Sequence, residues 1–274
     1  MQNFQKAKDA IKNADALIIT AGAGMGVDSG LPDFRGNSGF WKEYPAISHL
    51  GISFAEMANP RWFEENPKLA WAFYGHRYNL YTEVNPHFGF YKLLELGNKM
   101  KFGYFVFTSN VDGQFQKAGF SDDYIEEVHG SINYMQCTVP CTSEIWKAKD
   151  LHIEINAELF EAQEPLPRCP KCGAIARPNI LMFGDWNWLS ERSEKQNSNF
   201  YYWQQNLKKN NAKPVIIELG AGRAVPTVRM KSERLAQEFE ATLIRINPRD
   251  YQIPSNVKGI EVPTGALEGL EAIL

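Results

Sequence analysis

Short apolar runs recur along the chain and alternate with stretches whose apolar residues follow a helical period. Runs rich in β-branched and aromatic residues predict buried strands, which cover residues 16–20, 104–110, 179–185, 214–220 and 242–247. Residues 85–99 and 227–241 carry apolar side chains at helical spacing. This alternation favours an α/β fold with a parallel sheet. A ligand site is then expected at the carboxyl ends of the strands.

Two segments interrupt the alternation of strands and helices. Residues 37–86 are rich in aromatic and polar side chains and include a predicted helix over 67–84. Residues 131–178 hold all four cysteines of the chain and an irregular, charged middle. Apparent sheet strands resume after each segment, so both are interpreted as insertions that project from one sheet.

Charge and length narrow the class of protein. The chain has 274 residues with 29 basic and 32 acidic side chains, a net charge of −3. A broad electrostatic footprint for nucleic acid is therefore not indicated. The polar N-terminus lacks the apolar core of a secretory signal, and no run approaches the roughly 18 apolar residues of a membrane span. We expect a cytoplasmic protein without a membrane partner.

The cysteines form two closely spaced pairs. Cys137 and Cys141 are separated by three residues, and Cys169 and Cys172 by two. Clustered pairs in a reducing compartment are more often metal ligands than disulfides, and four thiolates suit a tetrahedral zinc ion. We predict one structural zinc ion per chain, with free thiols as the alternative. Four protein ligands leave no position for water, so catalysis by this metal is not expected.

A glycine-rich segment, GAGMGVDSGLPDFRG at residues 22–36, follows the first predicted strand. Glycines let backbone N–H groups approach a phosphate closely, and a following helix can direct its positive end at the anion. The usual dinucleotide fingerprint is incomplete, because Val27 stands where its third glycine would fall. Taken alone, the segment fits either a nucleotide site or a tight turn. Asp33, Phe34 and Arg35 add an acid, a ring and a guanidinium beside it.

Six motifs together resemble the sirtuins, which are NAD-dependent protein deacylases. Residues 22–36 follow the sirtuin pattern G-A-G-x-S-x-x-S-G-I-P-D-F-R-G closely. The other five occur in the family's order and spacing: TSNVD at 108–112, VHGS at 128–131, FGD at 183–185, ELGAG at 218–222 and INPRD at 246–250. The resemblance covers nearly the whole chain. It implies a Rossmann-like domain (1–36, 87–130 and 179–274), a helical module (37–86) and a zinc-binding module (131–178).

The resemblance further implies that NAD is consumed as a cosubstrate in a cleft between the modules. The residues that would contact NAD are Gly22, Ala23, Gly24, Asp33, Phe34, Arg35, Ser109, Asn110, Asp112, Gly220, Gly222, Asn247, Gly265 and Ala266. The implied catalytic residues are His129, Asn110 and Asp112. His129 would be the general base, since a histidine pKa of about 6.5 suits proton abstraction near neutral pH.

The implied reaction transfers an acyl group from lysine to ADP-ribose. The acyl oxygen attacks C1′ of the ribose as nicotinamide leaves, and His129 then deprotonates a ribose hydroxyl that attacks the acyl carbon. Free lysine and O-acyl-ADP-ribose result. Asp112 would accept a hydrogen bond from the nicotinamide carboxamide, although an Asn-Val-Asp sequence also fits a plain helix cap.

Substrate contacts are expected from two segments. Phe183, Gly184 and Asp185 would flank an acyl-lysine peptide that is added as a β-strand. Tyr74 and Arg77, three residues apart on a predicted helix, match the pair that desuccinylase-type sirtuins use for an acidic acyl tail. The alternative is an amphipathic helix in which the tyrosine packs and the arginine extends to solvent.

Four positions depart from the family pattern. Gly26 and Gly222 replace serines, Ala221 replaces a threonine, and Ser109 replaces a glutamine that reaches the nicotinamide ribose. These changes keep two alternatives open. One is mono-ADP-ribosyl transfer or NAD hydrolysis on the same fold, and the other is a non-enzymatic zinc protein that binds NAD or ADP-ribose.

Overall fold

The structure is a computed structural model that describes residues 2–33, 44–139, 141–149 and 151–274. Its strands are β1 (Ala16–Ala21), β2 (Tyr104–Thr108), β3 (Ile125–Glu127), β4 (Gly130–Cys137), β5 (Trp146–Lys147), β6 (Ile155–Asn156), β7 (Glu161–Ala162), β8 (Ala176–Ile180), β9 (Pro214–Leu219), β10 (Thr242–Ile246) and β11 (Gly259–Val262). Its α-helices are α1 (Gln2–Lys12), α2 (Phe54–Met57), α3 (Trp62–Glu65), α4 (Pro67–Glu83), α5 (Phe88–Lys99), α6 (Gln114–Lys117), α7 (Glu191–Lys209), α8 (Thr227–Glu238) and α9 (Ala266–Ile273). Short 3₁₀ turns cover Ala23–Met25, Val27–Ser29, Pro45–Leu50 and Asp122–Tyr124.

Six strands form a parallel sheet in the order β11-β10-β9-β1-β2-β3. Four of the predicted apolar runs become β1, β2, β9 and β10, as expected from their composition. Every residue of β1 and β9 is buried, which explains why these strands read as nearly continuous apolar runs. The edge strands β3 and β11 are short and contain acidic residues, so the apolar pattern did not predict them.

The predicted strand at 179–185 was wrong in its placement. Only residues 179 and 180 are in a strand, at the end of β8, and β8 pairs antiparallel with β4 in a separate sheet of order β5-β4-β8. All of β8 is buried. A short buried run looks the same in either kind of sheet, because burial on both faces does not record the direction of the neighbouring strand.

Helices cover both faces of the parallel sheet. The predicted helices at 85–99 and 227–241 are confirmed as α5 and α8. Leu17 and Ile19 of β1 pack in one core with α1, α5 and α9, whereas Ile18 packs in a second core with α7 and α8. This alternation follows from the two-residue period of a strand. It gives the sheet the doubly covered arrangement of an open α/β fold.

The two interrupting segments share a single hydrophobic core. Trp71 of α4 lies in this core with Met135 of β4, and its indole Nε1–H donates to the Ala176 carbonyl at 3.0 Å. A Cβ on Gly75 would lie 2.6 Å from Ile153, so the helix and the cysteine-containing segment are in close contact. Val111, from the loop after β2, joins the same core. The insertions therefore pack together, against the carboxyl ends of the parallel strands.

Helix α4 begins where its sequence provides start signals. The Asn66 side chain accepts a hydrogen bond from the Leu69 N–H at 3.1 Å, and Pro67 occupies the first helical position. The helix matches the predicted stretch at 67–84. None of the helices within the described ranges is both long and apolar enough to cross a membrane.

Candidate active site

The glycine-rich loop after β1 packs directly against the loop after β9. The Gly22 N–H donates to the Leu219 carbonyl at 3.0 Å, and the Gly24 N–H donates to the Gly220 carbonyl at 3.1 Å. A Cβ on Gly220 would lie 2.3 Å from the carbonyl carbon of Gly24, and one on Gly22 would lie 2.9 Å from the Ala221 Cα. Glycine is therefore needed at both positions because two backbones meet there.

Backbone N–H groups at this edge, among them those of Ala23, Ala221 and Gly222, have no acceptor within the described ranges. The close contact of Gly22 with Ala221 brings the two loops that carry these groups together. A Cβ on Gly222 would have no atom within 4 Å, so open space adjoins this residue. Neighbouring unpaired backbone donors form a concavity suited to an anion, and these residues fit the phosphates of a dinucleotide.

The two glycines after β9 should respond differently to substitution. Gly220 has a φ of 59°, and an alanine there would combine backbone strain with the contact to Gly24. We expect Gly220→Ala to lower the free energy of unfolding by about 2–4 kcal/mol. The control, Gly222→Ala, should change it by less than about 0.5 kcal/mol. Urea unfolding of both variants measures the difference, and equal losses would contradict the proposed packing of the two loops.

Asp33 ends the described part of the glycine-rich segment. Its carboxylate Oδ2 lies 3.2 Å from Nη2 of Arg249, which follows β10. Phe34 and Arg35 lie outside the described residues, so their expected contacts with NAD stay predictions. Gly26 is buried, and a Cβ there would come within 3.0 Å of the Leu31 side chain. Leu31 thus crowds the position where the family has a serine.

Asn110 connects the end of β2 to the glycine-rich loop. Its Nδ2 donates to the Gly22 carbonyl at 3.1 Å, and its backbone N–H donates to Thr108 Oγ1 at 3.0 Å. Thr108 in turn donates to the Ala21 carbonyl at 3.0 Å. The expected neighbours Gly22 and Asn110 are therefore brought together by side-chain hydrogen bonds across the ends of β1 and β2.

The sequence allowed two roles for Asp112, as a helix cap and as an acceptor for the nicotinamide carboxamide. Its Oδ1 accepts a hydrogen bond from the Gln114 N–H at 2.9 Å, immediately before helix α6, which agrees with a local capping role. Burial raises the pKa of the Asp112 carboxyl to about 6, although the hydrogen bond from Gln114 lowers it. The nearby Glu127 carboxylate adds to the increase. At pH 7 the side chain is mostly ionised and acts only as an acceptor, as a carboxamide N–H₂ requires.

His129 lies in the turn between β3 and β4, next to the end of β2. Burial lowers the pKa of His129 below its usual value, and a hydrogen bond with the Ser109 backbone opposes this shift. A ring N–H that donates to a backbone carbonyl leaves the other ring nitrogen able to accept a proton. The Val128 N–H donates to the Thr108 carbonyl at 3.0 Å, which brings the turn that carries His129 to the end of β2.

A buried ion pair lies close to His129 in the chain. Glu127, two residues before it, pairs with Arg192 of α7, and both side chains are largely buried. The Arg192 guanidinium also lies 4.1 Å from the ring centroid of Tyr134. Helix α7 thereby anchors the end of β3, which fixes the turn that carries His129.

His87 is a structural residue that the sequence reasoning missed. Its Nδ1 accepts from the Gly89 N–H at 3.0 Å at the start of α5, so Nε2 carries the proton and donates to the Met25 carbonyl at 2.9 Å. Its backbone N–H donates to Ser29 Oγ at 2.9 Å. His87 therefore holds the glycine-rich loop from the next helix. Its place at a helix start was the available signal.

Asn247, which we expected to contact NAD, is fully buried beside the loop after β9. Its Nδ2 donates to the Ala221 carbonyl at 2.9 Å, and its Oδ1 accepts from the backbone N–H groups of Arg249 and Asp250 at 3.0 and 2.9 Å. Asn247 therefore fixes the loops after β9 and β10, and its expected contact with NAD stays a prediction.

Gly265 and Ala266 form the start of α9, beside the loop after β1. The Asp28 carboxylate accepts a hydrogen bond from the Leu267 N–H at 2.8 Å and caps this helix. A Cβ on Gly265 would lie 3.5 Å from Asp28 Oδ2. The adenine contact expected for Gly265 and Ala266 stays a prediction.

The segment expected to hold a peptide follows β8. Phe183 is 43% exposed, its N–H donates to the Ala58 carbonyl at 2.9 Å, and Gly184 has a φ of 70°. The Asp185 carboxylate is buried in a two-pronged ion pair with Arg177 at 2.7 and 2.9 Å, and its expected place beside a peptide stays a prediction. Asp185 therefore fixes this loop to Arg177 of β8, whereas Phe183 remains exposed to solvent.

Tyr74 and Arg77 are both buried in the core shared by the two insertions. The Arg77 Nε and Nη2 donate to the Tyr81 hydroxyl at 3.0 and 2.9 Å, and its guanidinium carbon lies 5.9 Å from the ring centroid of Phe54. Phe54 contacts Phe183 edge to face, with 6.2 Å between ring centroids. The Phe54 ring thus lies between Arg77 and Phe183 of the expected peptide segment. Burial raises the pKa of the Tyr74 hydroxyl, against a smaller opposing effect of Arg77.

The four cysteines converge as predicted. Their Sγ atoms all lie within 4.8 Å of one another. Cys137 is 3.6 Å from both Cys141 and Cys172, and Cys141 is 3.7 Å from Cys169. Four sulfurs about 2.3 Å from a tetrahedral zinc ion would be about 3.8 Å apart. The cluster therefore fits one zinc ion with four protein ligands.

Comparisons with known proteins agree with this geometry. The model of the Sir2 family matches residues 22–199. An NAD-dependent protein deacylase from Pyrococcus furiosus is 36% identical over 179 residues, which cover 65% of this chain and 64% of that relative. One from Leptospira interrogans serovar Lai is 30% identical over 253 residues, which cover 92% of this chain and 88% of that relative.

The fold is also that of solved Sir2 structures. A Sir2 homologue in complex with NAD superposes with a TM-score of 0.70 at 22% identity, over 98% of this chain and 92% of that one. The chain spans just under two thirds of the Pyrococcus furiosus relative, whose alignment covers 64% of that protein. The family model matches well over half of the 274 residues of this chain, so the chain belongs to the Sir2 family.

Proposed function

We propose that this protein is an NAD-dependent protein-lysine deacylase that produces nicotinamide and O-acyl-ADP-ribose. The observation that carries the proposal is the position of His129 at the end of β2. The Val128 N–H donates to the Thr108 carbonyl at 3.0 Å, which brings the turn that carries His129 to this strand end, and the nearby Asn110 donates to the Gly22 carbonyl of the glycine-rich loop. A base, an amide and unpaired backbone donors thus meet at the carboxyl edge of the sheet, where an α/β fold binds its ligand.

Relatives and fold neighbours support the choice of substrates. The relatives from Pyrococcus furiosus and Leptospira interrogans carry the name NAD-dependent protein deacylase. Solved neighbours include a Sir2 homologue with NAD and a Sir2 protein bound to an acetylated peptide. We therefore propose NAD as the cosubstrate and an acyl-lysine peptide or protein as the partner, with a zinc ion that has a structural role only.

Each group of residues at this site would contact a different part of NAD or of the peptide. The N–H groups of Ala23, Ala221 and Gly222 would receive the phosphates of NAD, and Asp112 would hold the nicotinamide carboxamide as an acceptor. Neutral His129 would take a proton from a ribose hydroxyl. The exposed Phe183 would lie along the peptide, which we propose binds as an added strand.

The first experiment is mass spectrometry of the protein with NAD and a panel of acetyl-, succinyl- and longer-acyl-lysine peptides. We expect free lysine peptide together with O-acyl-ADP-ribose. Nicotinamide with ADP-ribose alone, or a mass-shifted protein, would instead indicate NAD hydrolysis or ADP-ribosyl transfer. Ser109→Gln would then test whether the serine causes that outcome. NAD binding without nicotinamide release would indicate a non-enzymatic binding protein.

We propose further that the acyl pocket accepts acidic acyl groups, as in a desuccinylase or demalonylase. Arg77 supports this, because its buried guanidinium lies against Phe54, which contacts Phe183 of the peptide segment. A guanidinium in a desolvated pocket suits a terminal carboxylate. Tyr74 lies one turn earlier on α4, in the same buried region.

Arg77→Met should therefore separate the acyl substrates. Loss of a charge-assisted hydrogen bond of roughly 1.5–3 kcal/mol predicts that succinyl-lysine turnover falls about 10- to 100-fold. Acetyl-lysine turnover should change by less than about threefold, because acetyl has no carboxylate. Steady-state kinetics with both peptides measures this, and equal effects on the two would refute an acidic-tail pocket. Arg61→Met, at an exposed arginine of the same module, is the control.

The cytoplasmic location stays a prediction. The reduced thiols of a zinc cluster fit a reducing compartment. Cell fractionation with detection of the native protein tests the location.

A further inference from the structure

An ion pair joins the loops on either side of strand β9. Arg249, three residues after the end of β10, places Nη2 3.2 Å from Oδ2 of Asp33, in the loop after β1. Both β1 and β10 are direct neighbours of β9 in the parallel sheet. The pair therefore links the two loops that flank Gly220 and Gly222.

Hydrogen bonds hold the backbone of Arg249 in place, whereas its side chain is largely exposed and makes an ion pair with Asp33. The buried Asn247 accepts from the Arg249 N–H at 3.0 Å and donates to the Ala221 carbonyl at 2.9 Å. The Arg249 side chain is 67% exposed, against 24% for Asp33. The fold thus presents a cation on a rigid base beside the loop that carries unpaired N–H groups. This is the arrangement of a binding group that is positioned before its ligand arrives.

The same edge lacks hydroxyl groups that the family pattern would supply. Gly26 and Gly222 stand where serines are usual, and Leu31 crowds the position of the first. The backbone donors on Ala23, Ala221 and Gly222 are available to an anion within the described residues. A doubly charged diphosphate would gain from a cation at this place. Arg249 is the cation that the observed ion pair brings to it.

We propose that Arg249 is a ligand of the dinucleotide diphosphate and that it leaves Asp33 when the diphosphate binds. The proposal rests on the dinucleotide site of the proposed function. An exposed ion pair contributes little to stability, so breaking it costs little. The guanidinium fork fits a phosphate as well as a carboxylate, and the diphosphate offers more charge and more acceptor oxygens than Asp33.

Equilibrium binding of ADP and of adenosine, measured by calorimetry, tests the role of Arg249 without any turnover. Arg249→Met should weaken ADP binding by about tenfold or more, because one charge-assisted contact is lost. Adenosine binding should stay within about twofold, since adenosine has no phosphate. Arg249→Lys should recover part of the ADP affinity. Arg234→Met, an exposed arginine on α8, controls for net charge.

Asp33→Asn separates a phosphate ligand from a merely structural ion pair. If the pair only held the loops together, Asp33→Asn and Arg249→Met would weaken ADP binding equally, and the proposal would be overturned. If Arg249 binds phosphate, Asp33→Asn should weaken ADP binding much less than Arg249→Met does, because asparagine removes the competing charge and leaves the guanidinium in place. ADP is the probe because it lacks the nicotinamide side of the cofactor.

The outcomes also separate this proposal from the proposed function. If the unaltered protein binds neither ADP nor ADP-ribose, the dinucleotide site itself is refuted. If the unaltered protein and Arg249→Met bind ADP with equal affinity, only the role of Arg249 is refuted.

Discussion

His129→Ala should reduce formation of O-acyl-ADP-ribose at least 100-fold while NAD binding persists. General-base catalysis by a positioned side chain contributes roughly 10²- to 10⁴-fold, and His129 is the histidine in the turn next to the end of β2. Alanine keeps the fold of the turn, because the backbone carbonyl of residue 129 still accepts from the Leu181 N–H at 2.9 Å. Product analysis by mass spectrometry and NAD binding by calorimetry measure the two effects separately.

The pH dependence of the unaltered enzyme gives a second view of His129. The base must be neutral, and burial lowers the pKa of this histidine below its usual value. Activity should therefore persist as pH falls to the usual histidine pKa and be lost only below it. His152→Ala, at an exposed histidine in the cysteine-containing segment, is the matched control and should change neither rate nor profile. Full residual activity of His129→Ala would remove it as the base.

Cys169→Ser should remove the zinc ion and destabilise the cysteine-containing segment. The cluster fits one tetrahedral ion, and structural zinc contributes on the order of 10 kcal/mol to the folding of small zinc domains. We expect zinc content to fall from about one per chain to near zero, with a lower Tm. Elemental analysis and thermal unfolding measure both. Lys171→Ala, an exposed lysine between two of the cysteines, should change neither.

The variant could fail to accumulate, so the unaltered protein provides a second test. Titration of the thiols with a mercurial reagent should release zinc in step with loss of tertiary structure, followed by near-ultraviolet circular dichroism. A disturbance should reach the peptide segment, because Cys137 pairs in register with Ala176, next to Arg177, which holds Asp185. A stable protein without metal would contradict the structural role of zinc.

The sequence by itself determined most of the parallel sheet and the cluster of four cysteines. Four of the apolar runs became β1, β2, β9 and β10, since a strand buried on both faces favours a nearly continuous apolar run. The spacing of the four cysteines was enough to predict their cluster, because short-range pairs with thiolate chemistry have few other uses. The glycine-rich segment was predicted to let backbone N–H groups approach a phosphate, which stays a prediction; the structure adds that Gly22 contacts the loop after β9.

Only the tertiary structure decided which partners the polar side chains have. Asp33 and Arg249 are 216 positions apart, and Arg177 neutralises the very Asp185 that we expected to face the peptide. Asn247 likewise bonds inside the fold, to the Ala221 carbonyl. The local sequence cannot identify these partners, because a polar side chain is satisfied by whatever the folded chain brings within about 3 Å.

The local sequence also cannot determine the direction of a neighbouring strand or the partner of a buried charge. Residues 179 and 180 pair antiparallel in the small sheet although their apolar pattern matched the large one. Glu218 and Arg245, on neighbouring β9 and β10, are both fully buried, with the Arg245 Nε 2.5 Å from the Glu218 Oε1. Residue patterns record burial and local geometry. Pairing between distant segments is fixed by packing, so it emerges only when the whole chain is folded.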